Sequence, residues 1–134
     1  MNSSKKRHSK KGVAAVEFAI AIPVFVLILL GTIESCTMIF LKQSLEIAAY
    51  EAARVSLIPK STTSDVESAA TALLSVRRIN NFTISVTPSN FQTASYGTFI
   101  RVDVSAPCNS NSAFLPIFSN SRTLIGSVEM MKEF

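Results

Sequence analysis

The 134-residue sequence has no tryptophan, one histidine, two cysteines, four glycines and five prolines, and only 16% of its residues are charged. The single histidine, His8, lies in a basic leader, which excludes histidine-based triads and histidine-rich metal sites from the rest of the chain. So little glycine and proline excludes collagen-like and low-complexity classes. A hydrophobic content of 48% excludes disorder throughout, because that much apolar surface needs burial.

Motifs of common enzyme chemistry are also missing. There is no glycine-rich phosphate loop, no P-loop and no dinucleotide-binding fingerprint. Asp103 and Glu129 can face each other across a sheet, but paired carboxylates on strands are usually only solvated. Cys36 and Cys108 are 72 positions apart, which is not a metal-ligand spacing, and whether they form a disulfide stays open. We therefore predict no enzyme, no cofactor, no metal site and no small-molecule substrate.

The net charge of +4 arises from the first twelve residues. They hold five basic residues and no acid, whereas the rest of the chain holds eight basic residues against nine acids. A nucleic-acid surface needs basic residues spread over a folded face, so we expect no nucleic-acid partner. A basic block directly before an apolar run instead sets membrane topology. The block consists of Lys5, Lys6, Arg7, Lys10 and Lys11.

The apolar run extends over residues 13–33, and Glu17 is its single charge. About 20 such residues suffice for a helix to cross the hydrocarbon core of a membrane. The basic block predicts that the N-terminus stays in the cytoplasm. We therefore expect a single-pass protein of the inner (cytoplasmic) membrane, with the residues from Glu34 onward in the periplasm or outside the cell.

Three interpretations of this N-terminus compete. A cleaved secretory signal peptide needs a short apolar core followed by an A-x-A-like site, which does not follow residue 33. A plain membrane anchor keeps its leader. A prepilin-type leader is cut off on the cytoplasmic side, and the apolar helix is kept. The first two correspond to a secreted binding domain behind an atypical signal peptide and to an uncleaved membrane adaptor in an envelope complex.

Glu17 favours the prepilin-type leader. A carboxylate at mid-membrane costs about 2.5–3.5 kcal/mol, and a plain anchor gains nothing from it. Cleavage between Gly12 and Val13 would make Glu17 the fifth residue of the mature chain. In a filament, its carboxylate can then lie near the positively charged N-terminus of a neighbouring subunit, and each charge offsets the desolvation of the other.

The N-terminal region resembles the TadE-like family, the minor pseudopilins of the Tad (Flp-type) pilus and tight-adherence systems. The shared pattern is a basic leader, Gly12, four residues, Glu17-Phe18 and an apolar helix with an early proline, Pro23. The helix then continues into a segment similar to residues 43–54. The resemblance implies a structural component of pilus assembly, in the context of adhesion and secretion. It does not separate TadE from its companion TadF.

The resemblance also implies roles for individual residues. Gly12 and Val13 flank the bond cut by a prepilin peptidase, and Glu17 and Phe18 serve recognition and assembly. The implied partners are the membrane, the peptidase, other pilin or pseudopilin subunits and the inner-membrane assembly proteins of the Tad system. Independently of the resemblance, Pro23 predicts a kink or local unwinding, because it removes one backbone donor from the helix.

Helical periodicity continues beyond the apolar run. Apolar residues recur at spacings of three and four until Pro59, which ends the helix. One helix is therefore predicted over residues 14–58. Its apolar stripe can pack on the protein's own head or on neighbouring helices. The stripe consists of Met38, Leu41, Leu45, Ala48, Ala52 and Val55.

The rest of the chain predicts a small α+β head. A loop over residues 60–64 offers Thr63 or Ser64 as the N-cap of a helix over 65–78. Alternating patterns predict strands, and a stretch rich in Ser, Asn and Pro predicts a long loop. The strands are 82–86, 99–104 and 124–130, and the loop is 105–121.

The predicted fold class is α+β and pilin-like. It combines a long N-terminal helix, with a transmembrane half and an exported amphipathic half, with a short helix and a three-stranded antiparallel sheet. The expected organisation is a basic cytoplasmic leader over 1–12, a transmembrane helix over 13–33, its exported continuation over 34–58 and a head over 59–134.

Overall fold

The computed structural model describes residues 10–113 and 121–133, with side chains from residue 12 onward. Over these residues the chain forms two α-helices, a short 3₁₀ helix and three strands, and the α+β prediction is confirmed. The elements are α1 (Lys10–Ser56), α2 (Thr63–Val76), β1 (Thr83–Thr87), the 3₁₀ helix Phe91–Thr93, β2 (Phe99–Pro107) and β3 (Thr123–Met131).

The chain divides into two units, residues 1–33 and residues 34–134. The described part of the first unit is helical from Lys10 onward. The second unit contains the remainder of α1 together with α2 and the sheet. This unit holds the hydrophobic core of the described chain, and the name head is kept for its residues 59–134.

Helix α1 differs from its predicted bounds at both ends. It begins at Lys10, so Gly12 lies inside its first turns rather than before it. It ends at Ser56, because the next two amides bond to carbonyls three residues earlier instead of four. The Leu57 amide donates to the Arg54 carbonyl at 3.3 Å, and the Ile58 amide donates to the Val55 carbonyl at 3.0 Å. Such i→i+3 bonds tighten the last turn, and Pro59 cannot continue the helix. Helix α1 runs through Pro23, and the kink stays a prediction.

The start of α2 corrects the predicted N-cap. The capping residue is Thr62, not Thr63 or Ser64. The Thr62 hydroxyl accepts from the Asp65 amide at 3.2 Å, and the Asp65 carboxylate accepts from the Thr62 amide at 2.8 Å. This reciprocal pair satisfies amide groups that the first turn leaves without partners. The same backbone and hydroxyl donors of Thr62 hold the pKa of Asp65 below its ordinary value.

The end of α2 lies at Val76, two residues before the predicted end. Arg78 adopts a left-handed backbone with φ of 58°, which stops the helix. The amides of Arg78 and Ile79 then bond back to Ser75 and Leu74, both at 3.0 Å. These bonds satisfy carbonyls of the last turn in the manner of a Schellman motif.

The three strands form an antiparallel sheet in the order β1-β2-β3, as predicted. Val102 at its centre pairs with Val86 on one side and with Val128 on the other. Strand β2 continues to Pro107, so the predicted loop over 105–121 begins too early. The reason is tertiary, because Ala106 is buried and pairs with Leu124 of β3.

The apolar stripe of α1 packs on the protein's own head. Its four central residues are at most 1% exposed, and its two outer residues are half-buried against the same core. Ala49 and Ala53 on the adjacent face are buried too. A Cβ at Gly126 of β3 would stand 2.4 Å from the backbone carbonyl carbon of Leu45. Glycine at this position therefore lets the strand contact the backbone of the helix.

This packing predicts that the head needs residues 34–56 of α1 in order to fold. Residues 59–134 alone would expose the apolar face that covers Leu41 and Leu45, so we expect them to aggregate or to melt without cooperativity. A fragment of residues 34–134 should melt cooperatively as a monomer. Circular dichroism and sedimentation of the two fragments provide the measurement. A cooperative, monomeric melt of residues 59–134 would show that the stripe is dispensable.

Candidate functional site

The apolar segment over residues 13–33 is the largest exposed apolar surface that the structure describes. It lies in the one described helix that is long and apolar enough to cross a membrane. An 18-residue window of this helix has a mean hydropathy of 2.7, and none of that window is buried. Large side chains such as Phe18, at 66% exposed, therefore have no cover within the described chain. Segments of this length and composition suit the interior of a bilayer.

Glu17 lies on this apolar segment and is exposed, as are Val16 and Phe18 beside it. The predicted pair of recognition residues, Glu17 and Phe18, thus belongs to a surface open to other molecules. A carboxylate in such surroundings is costly in lipid unless a positive group approaches it. Among the described residues, no contact of the fold requires an acid at this position.

The predicted processing site lies in the first turns of α1. Gly12 and Val13 are both helical and exposed. A Cβ at Gly12 would meet no described atom within 4 Å, so the fold itself does not require glycine there. Glycine inside a helix instead costs about 1 kcal/mol relative to alanine. The bond between Gly12 and Val13 becomes extended only if the end of the helix unwinds, as helix ends readily do.

The other predicted residues, those of the basic block, are neighbours in the sequence only. Lys10 and Lys11 form the first turn of α1, and nothing is described of their side chains. Lys5, Lys6 and Arg7 lie outside the described residues. The topology assigned to these five residues rests on their sequence.

The sheet does not pair Asp103 with Glu129. Arg101 lies opposite Glu129, and Ser127 lies opposite Asp103. Partial burial opposes ionisation of Asp103, but hydrogen bonds from Ser127 and Arg101 outweigh it, so the pKa of Asp103 lies below its ordinary value. The Arg101 Nε donates to Asp103 at 3.0 Å, which makes this a surface ion pair of the sheet.

The two cysteines are free thiols, with Cys36 exposed and Cys108 buried. Burial raises the pKa of the Cys108 thiol, Arg122 opposes the rise and Glu34 adds to it. A buried neutral thiol of this kind is a poor nucleophile. Within residues 10–113 and 121–133, no cluster of three or more metal-ligating side chains occurs.

Sequence reasoning missed a pocket between α1, the turn after α2 and the loop after β2. Its cavity of about 240 Å³ is lined by residues that include Arg77, Arg78, Asn80, Asn111 and Ser112. Two adjacent arginines after α2 were the available signal, but their place beside a second loop depends on the fold. The loop is held by Asn111, whose side chain bonds the amide of Asn80 at 2.8 Å and its carbonyl at 3.0 Å.

The comparisons with known proteins concern α1. No curated protein and no solved structure matches the chain. The family model described as TadE-like protein matches residues 12–54, which confirms the resemblance over this range. The match suggests a component related to the Tad pilus, in a setting of membrane anchorage and pilin-like partners. Residues 12–54, nearly the whole of α1, thus match the model of the TadE-like family.

Proposed function

We propose that this protein is a minor pilin or pseudopilin-like subunit that serves the assembly of a Tad (Flp-type) pilus or tight-adherence machine. A prepilin peptidase cuts it after Gly12, and α1 then inserts among other pilin-like helices. The single observation that carries the proposal is an exposed apolar helix with one acid, Glu17, inside a segment that matches the TadE-like family. The role is structural and involves no catalysis.

The packing of α1 supports different roles for its two halves. The exported half is occupied by the protein's own core, since Leu41, Leu45 and Ala48 are buried there. The stripe is therefore not available to neighbouring subunits. The apolar half, with Phe18, Ile20 and Phe25 each more than 60% exposed, is the surface left for lipid and for neighbouring helices.

The orientation follows from charge. Five basic residues precede the apolar segment, so the leader stays in the cytoplasm and the head is exported. The protein is then a single-pass component of the cytoplasmic membrane before assembly. The uncleaved adaptor remains the competing function, because the Gly12–Val13 bond lies inside α1 and must unwind before a peptidase can cut it.

Processing is tested by Gly12→Leu. A bulky side chain fits the helix, because nothing described lies within 4 Å of that Cβ position, but it should block the peptidase from the backbone. We expect the full-length form to accumulate, with Met1 at its N-terminus, whereas the wild type begins at Val13. N-terminal sequencing or intact mass measures this. Gly31→Leu is the matched control, since Gly31 is equally open. Normal cleavage of Gly12→Leu would support the uncleaved adaptor.

Topology is tested with a membrane-impermeant maleimide on spheroplasts. Glu67 is exposed on α2, so Glu67→Cys in a Cys36→Ser chain should react without permeabilisation if the head is exported. The Cys36→Ser chain alone should stay unlabelled, because Cys108 is buried. Labelling of Glu67→Cys only after permeabilisation would reverse the proposed orientation.

Assembly is tested by Glu17→Ala. Removal of a costly charge should leave membrane insertion at least as good as in the wild type. Assembly should fail, because a neighbour's α-amino group would lose its partner, and one-sided loss of a buried pair costs about 3–5 kcal/mol. Glu17→Gln should be intermediate. Co-purification with partner subunits and surface pilus formation are the readouts.

The control for Glu17→Ala is Glu51→Ala, which removes an acid from the exported half. Glu51 forms only a surface ion pair with Arg54 at 3.6 Å, so its loss should leave assembly intact. Normal complex formation by Glu17→Ala would leave the acid without a role, and a plain anchor would then be the better account.

A further inference from the structure

Strand β3 lies at one edge of the sheet, and no strand of the described chain lies along its outer side. Hydrogen bonds at both of its ends show which way its backbone groups point. The amide of Cys108 donates to the Arg122 carbonyl at 2.9 Å, and the amide of Lys132 donates to the Thr98 carbonyl at 2.9 Å. The even-numbered residues of β3 therefore point their backbone groups toward β2. Because this direction alternates along an antiparallel strand, the odd-numbered residues point theirs toward the free edge.

The free edge of β3 carries hydrogen-bonding groups that the described fold does not use. At one end, the Ile125 carbonyl accepts from the amine of Lys42, which closes that end of the edge. No backbone group of Ser127, Glu129 or Met131 is hydrogen-bonded on this side within the part of the chain that the structure describes. A row of unpaired N–H and C=O groups is a template for pairing with another strand.

The two edges of the sheet differ in length and composition. Strand β1 has five residues and ends at Thr87, directly before Pro88. Strand β3 has nine residues, no proline, and Glu129 as its one charge. Natural sheets keep exposed edges short or interrupt them with charges and prolines. The long edge of β3 therefore indicates that a partner covers it.

An apolar groove of about 560 Å³ lies between α1 and β3, within residues 34–134. Because Lys42 of α1 reaches the outward carbonyl of Ile125, α1 lies along the free edge of the strand. The apolar lining of the groove comes from Ile47, Tyr50 and Val128, of which Ile47 is 42% and Tyr50 54% exposed. A strand added to β3 would cover these side chains. The remaining lining residues are Gln43, Glu46 and Ser127.

A second copy of β3 does not suit this edge. Antiparallel pairing of two identical edge strands needs a two-fold axis perpendicular to the sheet. Residues 41–53 of α1 pack on a face of the sheet, so this axis would make the two α1 segments run in opposite directions. Copies anchored in one membrane through the residues before Glu34 cannot adopt this arrangement. This step rests on the membrane anchorage in the proposed function, and it favours a different chain as the occupant.

We propose that the free edge of β3 and the adjacent groove bind an extended peptide segment of a partner chain by β-strand addition. The main chain of the segment pairs with Ser127, Glu129 and Met131, and every second side chain of the segment enters the groove over Ile47 and Tyr50. Main-chain hydrogen bonds give such sites their affinity, and pockets for alternate side chains give them specificity. The exposed floor of the groove is apolar, so the segment carries apolar side chains at these alternate positions.

The test uses the full chain in nanodiscs of phosphatidylcholine and a fluorescein-labelled peptide of alternating valine and threonine with a lysine at each end. Fluorescence anisotropy measures the Kd. With the valines in the groove, the threonine amides face β3, because directly opposite residues of an antiparallel pair have their side chains on the same face. A peptide N-methylated at the threonines should therefore bind at least about tenfold more weakly, since it loses several hydrogen bonds. The peptide N-methylated at the valines is the matched control and should still bind.

Glu129→Pro tests the edge of the protein itself. It removes one outward donor and leaves the bonds to β2, because the Glu129 amide points to the free edge. We expect a melting temperature close to that of the wild type and a peptide Kd about fivefold higher, as for one main-chain hydrogen bond. Glu129→Thr is the matched control, since it changes the same side chain and keeps the amide.

Tyr50→Ser tests the floor of the groove and is independent of any change in the strand. We expect the peptide Kd to rise about tenfold, because the ring no longer covers apolar side chains of the peptide. Tyr96→Ser is the matched control, since Tyr96 is 74% exposed and is not among the residues that line the groove. It should bind the peptide as the wild type does.

Several outcomes would overturn the site. They are no binding of the unmodified peptide by the wild type, equal binding of the two methylated peptides, and equal binding by the two tyrosine variants. A concentration-dependent dimer that Glu129→Pro abolishes would also overturn it, because a second copy would then occupy the edge. A chain that binds the peptide but is not cut after Gly12 would refute the proposed processing alone, whereas a cut, assembled chain that ignores the peptide would refute only the site.

Discussion

The head depends on how closely its sheet and α2 can approach α1. Alanines occupy the part of α1 that lies under these elements, and Ala48, Ala49, Ala52 and Ala53 are all fully buried. Gly126 likewise lets β3 approach α1 closely, because any larger residue would collide with the backbone of Leu45. Such close packing maximises dispersion contacts without long side chains. A head of this size thus obtains much of its burial from a helix that also has another task.

The second role of α1 follows from a change in its hydrophobic pattern along the sequence. Residues 13–33 are apolar on all sides, whereas the residues after them are apolar along a stripe only. A helix that is apolar all round belongs in lipid or among other helices, and a striped helix belongs at the surface of a core. Helix α1 extends from Lys10 to Ser56 and includes both kinds of surface.

Charge has a different role in each region. In the apolar segment, Glu17 is costly for an isolated chain in lipid, and a positive partner would offset this cost, which is the basis of the assembly role proposed for it. At the end of α2, Arg78 pays a backbone penalty instead. Neither residue improves the fold of this chain in the contacts described.

The N-terminal half was predictable from sequence because its physics is local. Hydropathy over residues 13–33, the basic leader and the Gly12–Glu17 spacing identify an apolar helix and a TadE-like segment without any knowledge of packing. The periodic stripe on α1, the short helix and three strands were also correct as elements. The predicted bounds of these elements were less accurate. The N-cap Thr62 depends on its hydrogen bonds with Asp65, and the end of β2 depends on strand pairs such as Ala106 with Leu124.

Sequence alone thus determined that α1 has one segment that is apolar on all sides and one that is apolar along a stripe, since period and composition are properties of consecutive residues. Only the tertiary structure decided that the stripe is used by the protein's own head, that Phe91 joins the core, and that Arg77 and Arg78 share a pocket with Asn111. The reason is that these contacts join residues more than thirty positions apart in the chain, as in the pair Asn80 and Asn111, separated by 31. No local pattern encodes which distant segments will line the same pocket.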